Sequence, residues 1–282
     1  MFQATDHLKM KSIGIKISNF KKYQIAYQAA LSTFLQYRIN VALFAIGHLV
    51  SLSGLAFVWL SVYESGQQLG SYTLPEILTY YILIAFLRLT IADGVSMGFQ
   101  VVEDIKDGRV APYLLKPINY PLSMLADSLG HATINLVLVT PVIALILFIT
   151  GTAHYLPPLP SLAFFFGFML VGLLFYYLIY FLSALSSFWL DRGSNIIYGL
   201  IVMSNFLNGA IIPIDIFPEW LIHISNYLPF QFLMYTPIQF WLGRAQNIPA
   251  ISITAVSWLI ILSIITVLVW RLGIKKFEAV GQ

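Results

Sequence analysis

The chain has 282 residues, of which 59% are hydrophobic, 15% aromatic and only 10% charged, with no cysteine. A soluble globule needs about 25% charged residues to cover its surface, intrinsic disorder needs low hydropathy and high charge, and a disulfide scaffold needs cysteine. The formal net charge of +3 is too small and too dispersed for a nucleic-acid reader, which leaves a polytopic membrane protein.

Residues 1–12 read as a mobile N-terminus. From 13 to 38, Ile13, Ile17, Phe20, Tyr27, Leu31 and Phe34 recur at the spacing of one helical face. Lys16, Lys21 and Lys22 add the charge that an anionic inner leaflet attracts, so this stretch predicts an interfacial amphipathic helix. A cytosolic helix packed on the underside of the protein is the plainer alternative.

Residues 39–282 read as one all-α transmembrane domain without a usable internal repeat. A helix crossing about 30 Å of hydrocarbon takes about 20 residues. The uncharged stretches 39–63, 128–190, 193–214 and 245–270 provide five such helices. The second stretch divides at Gly151–Pro160, where Pro157, Pro158 and Pro160 mark a loop. A further span contains Arg88 and Asp93. Six spans result, at about 41–62, 75–101, 130–150, 162–189, 194–213 and 250–271.

A charge at a helix centre costs about 2.5–3.5 kcal/mol on insertion scales, so Arg88 and Asp93 should face protein or water. Five positions apart they lie about 140° apart around a helix, away from the i,i+3 and i,i+4 neighbours. Each is expected to find partners on other helices, as a polar lining of a path, at a subunit interface or in a buried structural pair. Gly94 with Gly98, and Gly47 with Ser51, allow close helix approach. Asn205 and Asn208 lie three apart in the fifth span, placed for hydrogen bonds across a dimer interface or within the chain.

The loop after the second span packs Glu103, Asp104 and Asp107 against Gly108, Arg109, Leu114 and Leu115. Acidic residues run against the basic bias of an inner loop. An acidic-then-apolar short helix suits docking in a cleft of a soluble partner; a solvated turn is the alternative. Asp215, Glu219 and His223 on the outer side stand four apart, but Pro218 breaks the row and no metal site is expected. Phe217, Trp220, Tyr227, Phe230, Phe232 and Tyr235 fit short helices at the outer leaflet. His131 and His154 read as interfacial polar groups.

Sidedness follows from the basic residues. Of the 15, 13 fall in the N-terminal segment, the loops after the second and fourth spans, and the tail, which places both termini in the cytoplasm. The outer loops hold Arg244 alone. No G-x-x-x-x-G-K-[ST] phosphate loop is present and no lysine follows a glycine, so this chain has no nucleotide site of its own.

The run Glu103, Asp104, Gly108, Val110, Leu114, Leu115 and Pro117 resembles the coupling loop of type-2 permeases of ATP-binding cassette exporters. The tail Gly273–Gly281, the outer segment Ile212–Trp220 and Leu228-Pro229-Phe230 are similar to an uncharacterised bacterial branch of that family. The likeness runs from about residue 20 to the end. Pro112 departs from the pattern and is expected to shorten the docking helix.

The resemblance implies a permease subunit in the bacterial inner membrane, not itself an enzyme. It implies two soluble ATPases that carry ATP and Mg, contacted through Glu103 to Leu115, and a second permease, identical or paralogous. The substrate path would lie near the permease interface, with Arg88, Asp93, Asn205 and Asn208 as candidates. Composition favours a hydrophobic or amphipathic cargo. The competing readings are a membrane-embedded lipid-modifying enzyme using Asp215, Glu219 and His223, and a non-transporting assembly or immunity subunit.

Overall fold

The computed structural model describes residues 57–277, apart from Asp93, Pro117 and 152–155, together with Gln24, Tyr27, Gln28, Gly47 and Gly54. The expected N-terminus 1–12, nearly all of the interfacial helix 13–38, most of the first span 41–62, Asp93 and His154 lie outside those residues. Gln24, Tyr27, Gln28 and residues 57–64 are helical.

Every regular element described is a helix. α1 (Leu74–Ile91) and α2 (Gly94–Lys106) together form one apolar span of 33 residues, interrupted after Ile91. α1 starts where Glu76 reaches back to accept from the Thr73 backbone N–H at 2.8 Å and its hydroxyl at 2.9 Å. A four-residue helix, α3 (Ala111–Leu114), follows the turn at Gly108. Pro112 sits in its first turn, where the missing N–H does no harm, so it starts this short helix rather than breaking a longer one. α4 (Tyr120–Ile149), α5 (Leu159–Ala184, extended by a 3-10 turn Leu185–Phe188) and α9 (Ile248–Lys276) are the other long apolar helices. Four helices among the described residues are thus long and apolar enough to cross a membrane.

α5 is the axis of the bundle. A Cβ on Gly94 of α2 would lie 2.8 Å from the Tyr176 carbonyl carbon, and one on Gly172 would lie 2.9 Å from the Phe232 carbonyl oxygen. Both approaches are backbone to backbone, which only glycine allows. About the axis, α1 with α2 and α5 bury 65% and 56% of their most apolar windows, against 17% each for α4 and α9. The last two leave apolar side chains on their outer faces uncovered, Val137, Phe148, Ile253 and Ile264 among them.

The fifth apolar helix, α6 (Ser194–Leu207), has 14 residues, about 21 Å at 1.5 Å per residue. The expected span 194–213 ends early because Gly209 takes the left-handed conformation (φ +79) and Pro213 follows. Irregular backbone at this depth survives only if its polar groups are paired. The Tyr80 hydroxyl donates to the Gly209 carbonyl at 2.6 Å and the Tyr81 hydroxyl to the Ile211 carbonyl at 2.7 Å. The Tyr235 N–H donates to the Asn208 carbonyl at 3.1 Å, and the Ala210 N–H to Asn208 Oδ1 at 2.9 Å.

The chain then folds back through a 3-10 turn (Ile214–Ile216), α7 (Glu219–Tyr227), a second 3-10 turn (Pro229–Leu233) and α8 (Tyr235–Trp241). α8 is buried against α5, with Phe240 stacked on Phe168 at 4.8 Å, while α7 exposes Trp220 and Tyr227. Asn247 starts α9 in the left-handed region, its side chain accepting from the Ala250 N–H.

Alternating helix direction gathers Ser71, Asp215, Arg244 and Ala250 at one end, and Lys106, Asp191 and Lys276 at the other. The close contacts predict that Gly172→Ala destabilises the folded chain by about 1–3 kcal/mol in denaturant unfolding in detergent. Gly167→Ala, whose Cβ would meet nothing within 4 Å, should cost nothing.

Candidate functional site

At the acid-rich loop one cation holds three carboxylates. Arg109 Nε donates to Asp104 Oδ1 at 2.7 Å, Nη1 lies 3.1 Å from Asp107 Oδ2, and Nη2 lies 3.3 Å from Glu103 Oε2. Gly108, at φ +72, supplies the reversal that brings Arg109 back over the end of α2. The three acids do not share one environment. Asp104 is buried, and its second oxygen accepts from the Tyr120 hydroxyl at 2.6 Å, whereas Glu103 and Asp107 are exposed.

Tyr120 carries this anchor into the bundle. Its ring is fully buried, stacked on Trp270 of α9 at 5.5 Å and edge-on to Tyr113 at 5.0 Å. Beyond the anchor the loop ends in two exposed apolar side chains, Leu114 and Leu115, the second 88% exposed. The loop is thus fixed at its root and apolar at its tip. Sequence reasoning found the loop and the leucines but missed Tyr120 and Trp270; a tyrosine opening the helix after an acidic loop was the available signal.

Inside the membrane, Arg88 of α1 and Asn205 of α6 come together, Arg88 Nη2 donating to Asn205 Oδ1 at 2.9 Å. Arg88 Nε is buried with no hydrogen-bond partner among the described residues. Asp93 lies outside those residues. Asn208 is fully buried, and its carbonyl and Oδ1 both serve the turn after α6, so those groups face inward rather than toward a second subunit.

At the opposite end Arg244 is the hub. It lies 4.0 Å over the Tyr72 ring, donates to the Ser71 carbonyl and hydroxyl at 2.9 Å each, and stands 3.8 Å from Glu76 and 3.9 Å from Asp215. The Tyr72 hydroxyl donates to Asp215 Oδ1 at 3.0 Å and accepts from Gln239 at 2.8 Å. Partial burial pushes the Asp215 carboxyl above its usual range, while Tyr72 and Arg244 pull it back. These groups edge an open cleft of about 780 Å³, lined also by Asn226, Gln231, Phe232 and Tyr235. Asp215 is engaged here by Tyr72 and Arg244, whereas Glu219 and His223 lie exposed on α7, and the break at Pro218 separates them from it. Among the described residues no group of three or more acids and histidines is placed to hold a metal. His131 sits one helical turn from Asp127, 3.7 Å away.

The loop geometry separates two effects. Asp104→Ala leaves the buried Tyr120 hydroxyl without its acceptor and should lower unfolding stability by about 1–3 kcal/mol. Asp107→Ala, at an exposed position, should stay within about 0.5 kcal/mol of the parent in the same denaturant titration.

A family model described as ABC-2 family transporter protein matches residues 49–281. No curated protein matches the chain. The match takes in the long apolar helices, the anchored loop and the folded-back segment between α6 and α9 described above. The chain belongs to the ABC-2 transporter family and is a membrane permease of an ATP-binding cassette transporter, a family that works with an ATP-binding subunit.

Proposed function

We propose that this chain is the permease of an exporter, seated in a bacterial inner membrane with both termini cytoplasmic. It pairs with a second permease, identical or paralogous, and with two soluble ATPases that bind ATP and Mg. The loop Glu103 to Leu115 is the ATPase contact. One observation carries this reading: the exposed Leu114–Leu115 tip on a root held by Asp104, Arg109 and Tyr120. Apolar anchors on a short helix fill a groove in a partner, and a fixed root lets a push on the tip move the bundle rather than bend the loop.

The route of that push follows the packing. Arg109 ties the loop to the end of α2, and Tyr120 ties it to α4 and, through Trp270, to α9. Closure of the two ATPases would displace these helices together about α5. Arg88 and Asn205 provide the path with a polar point at mid-membrane, a role Asp93 is proposed to share. The outer cleft, with amide, carboxylate, guanidinium and aromatic groups on its walls, suits an amphipathic cargo at the exit.

A tagged chain should co-purify with its ATP-binding subunit. Leu115→Asp is expected to lower that capture at least about tenfold, the loss of one buried leucine anchor, while leaving the thermal midpoint of the permease unchanged. Asp107→Lys should weaken capture as well. Undiminished capture by both variants would take the loop out of the interface.

A further inference from the structure

At the basic end of the bundle a second cavity, about 360 Å³, opens beside the loop but does not belong to its anchor. It is lined by Lys106 at the end of α2, by Ser187, Phe188, Leu190 and Asp191 after α5, and by Lys276 at the end of α9. Neither lysine forms an ion pair among the described residues, and the carboxylates nearest Lys106 in the chain are held by Arg109. Ser187 Oγ is likewise buried without a hydrogen-bond partner among those residues. Among the described residues the lining holds two lysines and one carboxylate, Asp191.

One wall of the cavity is aromatic and closely packed. Phe188 packs edge-on against Trp270 at 5.8 Å and Phe277 at 6.1 Å. A Cβ at Gly273 would overlap the Phe188 ring, so α9 closes on it without slack. Trp189 and Leu190 beside the opening are about half exposed, as aromatic and aliphatic groups are at a membrane interface. Two lysines beside an aromatic and aliphatic wall, at the level where helices leave the bilayer, match an amphipathic anion.

The geometry points to a binding site for one anionic phospholipid of the inner leaflet. Its phosphodiester sits between Lys106 and Lys276, a headgroup hydroxyl donates to Asp191, and an acyl chain lies along Phe188 and Leu190. The lipid bridges the end of α2 to the end of α9, the two helices that the loop anchor also joins. The site is a property of the permease alone and does not depend on the ATPase contact.

The test titrates the purified full-length permease, without its partner, with phosphatidylglycerol in mixed micelles and reads bound lipid by native mass spectrometry. Phosphatidylcholine is the neutral reference and inorganic phosphate the free-anion reference. One phosphatidylglycerol should bind more tightly than phosphatidylcholine and resist displacement by inorganic phosphate. Lys106→Gln with Lys276→Gln should weaken it about thirtyfold, and Lys276→Gln alone about fivefold, the single variant serving if the pair folds poorly. The charge-matched pair Arg271→Gln with Lys275→Gln, exposed on the same helix end and outside the lining, should bind as the parent does. Equal losses in the two pairs would mean diffuse surface attraction and overturn the site. Equal affinity for phosphatidylcholine, or ready displacement by phosphate, would overturn it too.

Discussion

Hydrocarbon offers no hydrogen-bond partner, and the architecture of this permease answers to that constraint. Helices satisfy it along most of the chain. The segment after α6 does not, since Gly209 turns the backbone out of the helix and the chain runs irregularly to Pro213. Tyrosines on α1 supply what water would otherwise give: Tyr80 and Tyr81 donate to the Gly209 and Ile211 carbonyls, and Tyr235 and Asn208 close the turn. Once paired, the segment can fold back and lay α8 on α5, where the Phe168, Phe240 and Phe232 rings stack. The high aromatic content is thus partly a hydrogen-bonding device as well as packing volume.

The same constraint drives charge to the ends of the bundle, and each end uses it differently. At the end opposite the loop Arg244 gathers Tyr72, Glu76 and Asp215 beside an open cleft. At the basic end Arg109 gathers Glu103, Asp104 and Asp107. Because Asp104 is also held by the buried Tyr120, this second cluster is a root rather than a solvated turn. The apolar tip thus stands on a hydrogen-bonded root, and Trp270 extends that root to a helix 150 residues further along the chain.

Much of this was legible in the sequence because hydropathy and charge are local. Uncharged stretches located α4, α5 and α9, and the acidic exception to the basic bias located the loop. What stayed hidden depends on distant contacts. Nothing near Asp104 distinguishes it from Asp107, since burial comes from Tyr120 and the rings behind it. Arg88 and Asn205 were each singled out, but 117 residues separate them and only the fold, which lays α6 against α2 and α5, makes them a pair. The early end of α6 was readable in principle from Gly209 and Pro213; counting uncharged residues overrode that local signal. Arg244 stood out as the one basic residue of the outer loops, though not as a hub.

The absence of cysteine makes one measurement especially direct. A single Leu115→Cys substitution, treated with a short thiol-to-amine cross-linker in membranes holding the permease and its ATP-binding subunit, reports the contact at the loop tip. A permease–ATPase adduct is expected from position 115 and none from Arg244→Cys at the far end of the bundle. An assembly that co-purifies intact yet yields no adduct from 115, under conditions where the thiol is modified freely, would contradict a contact at the tip.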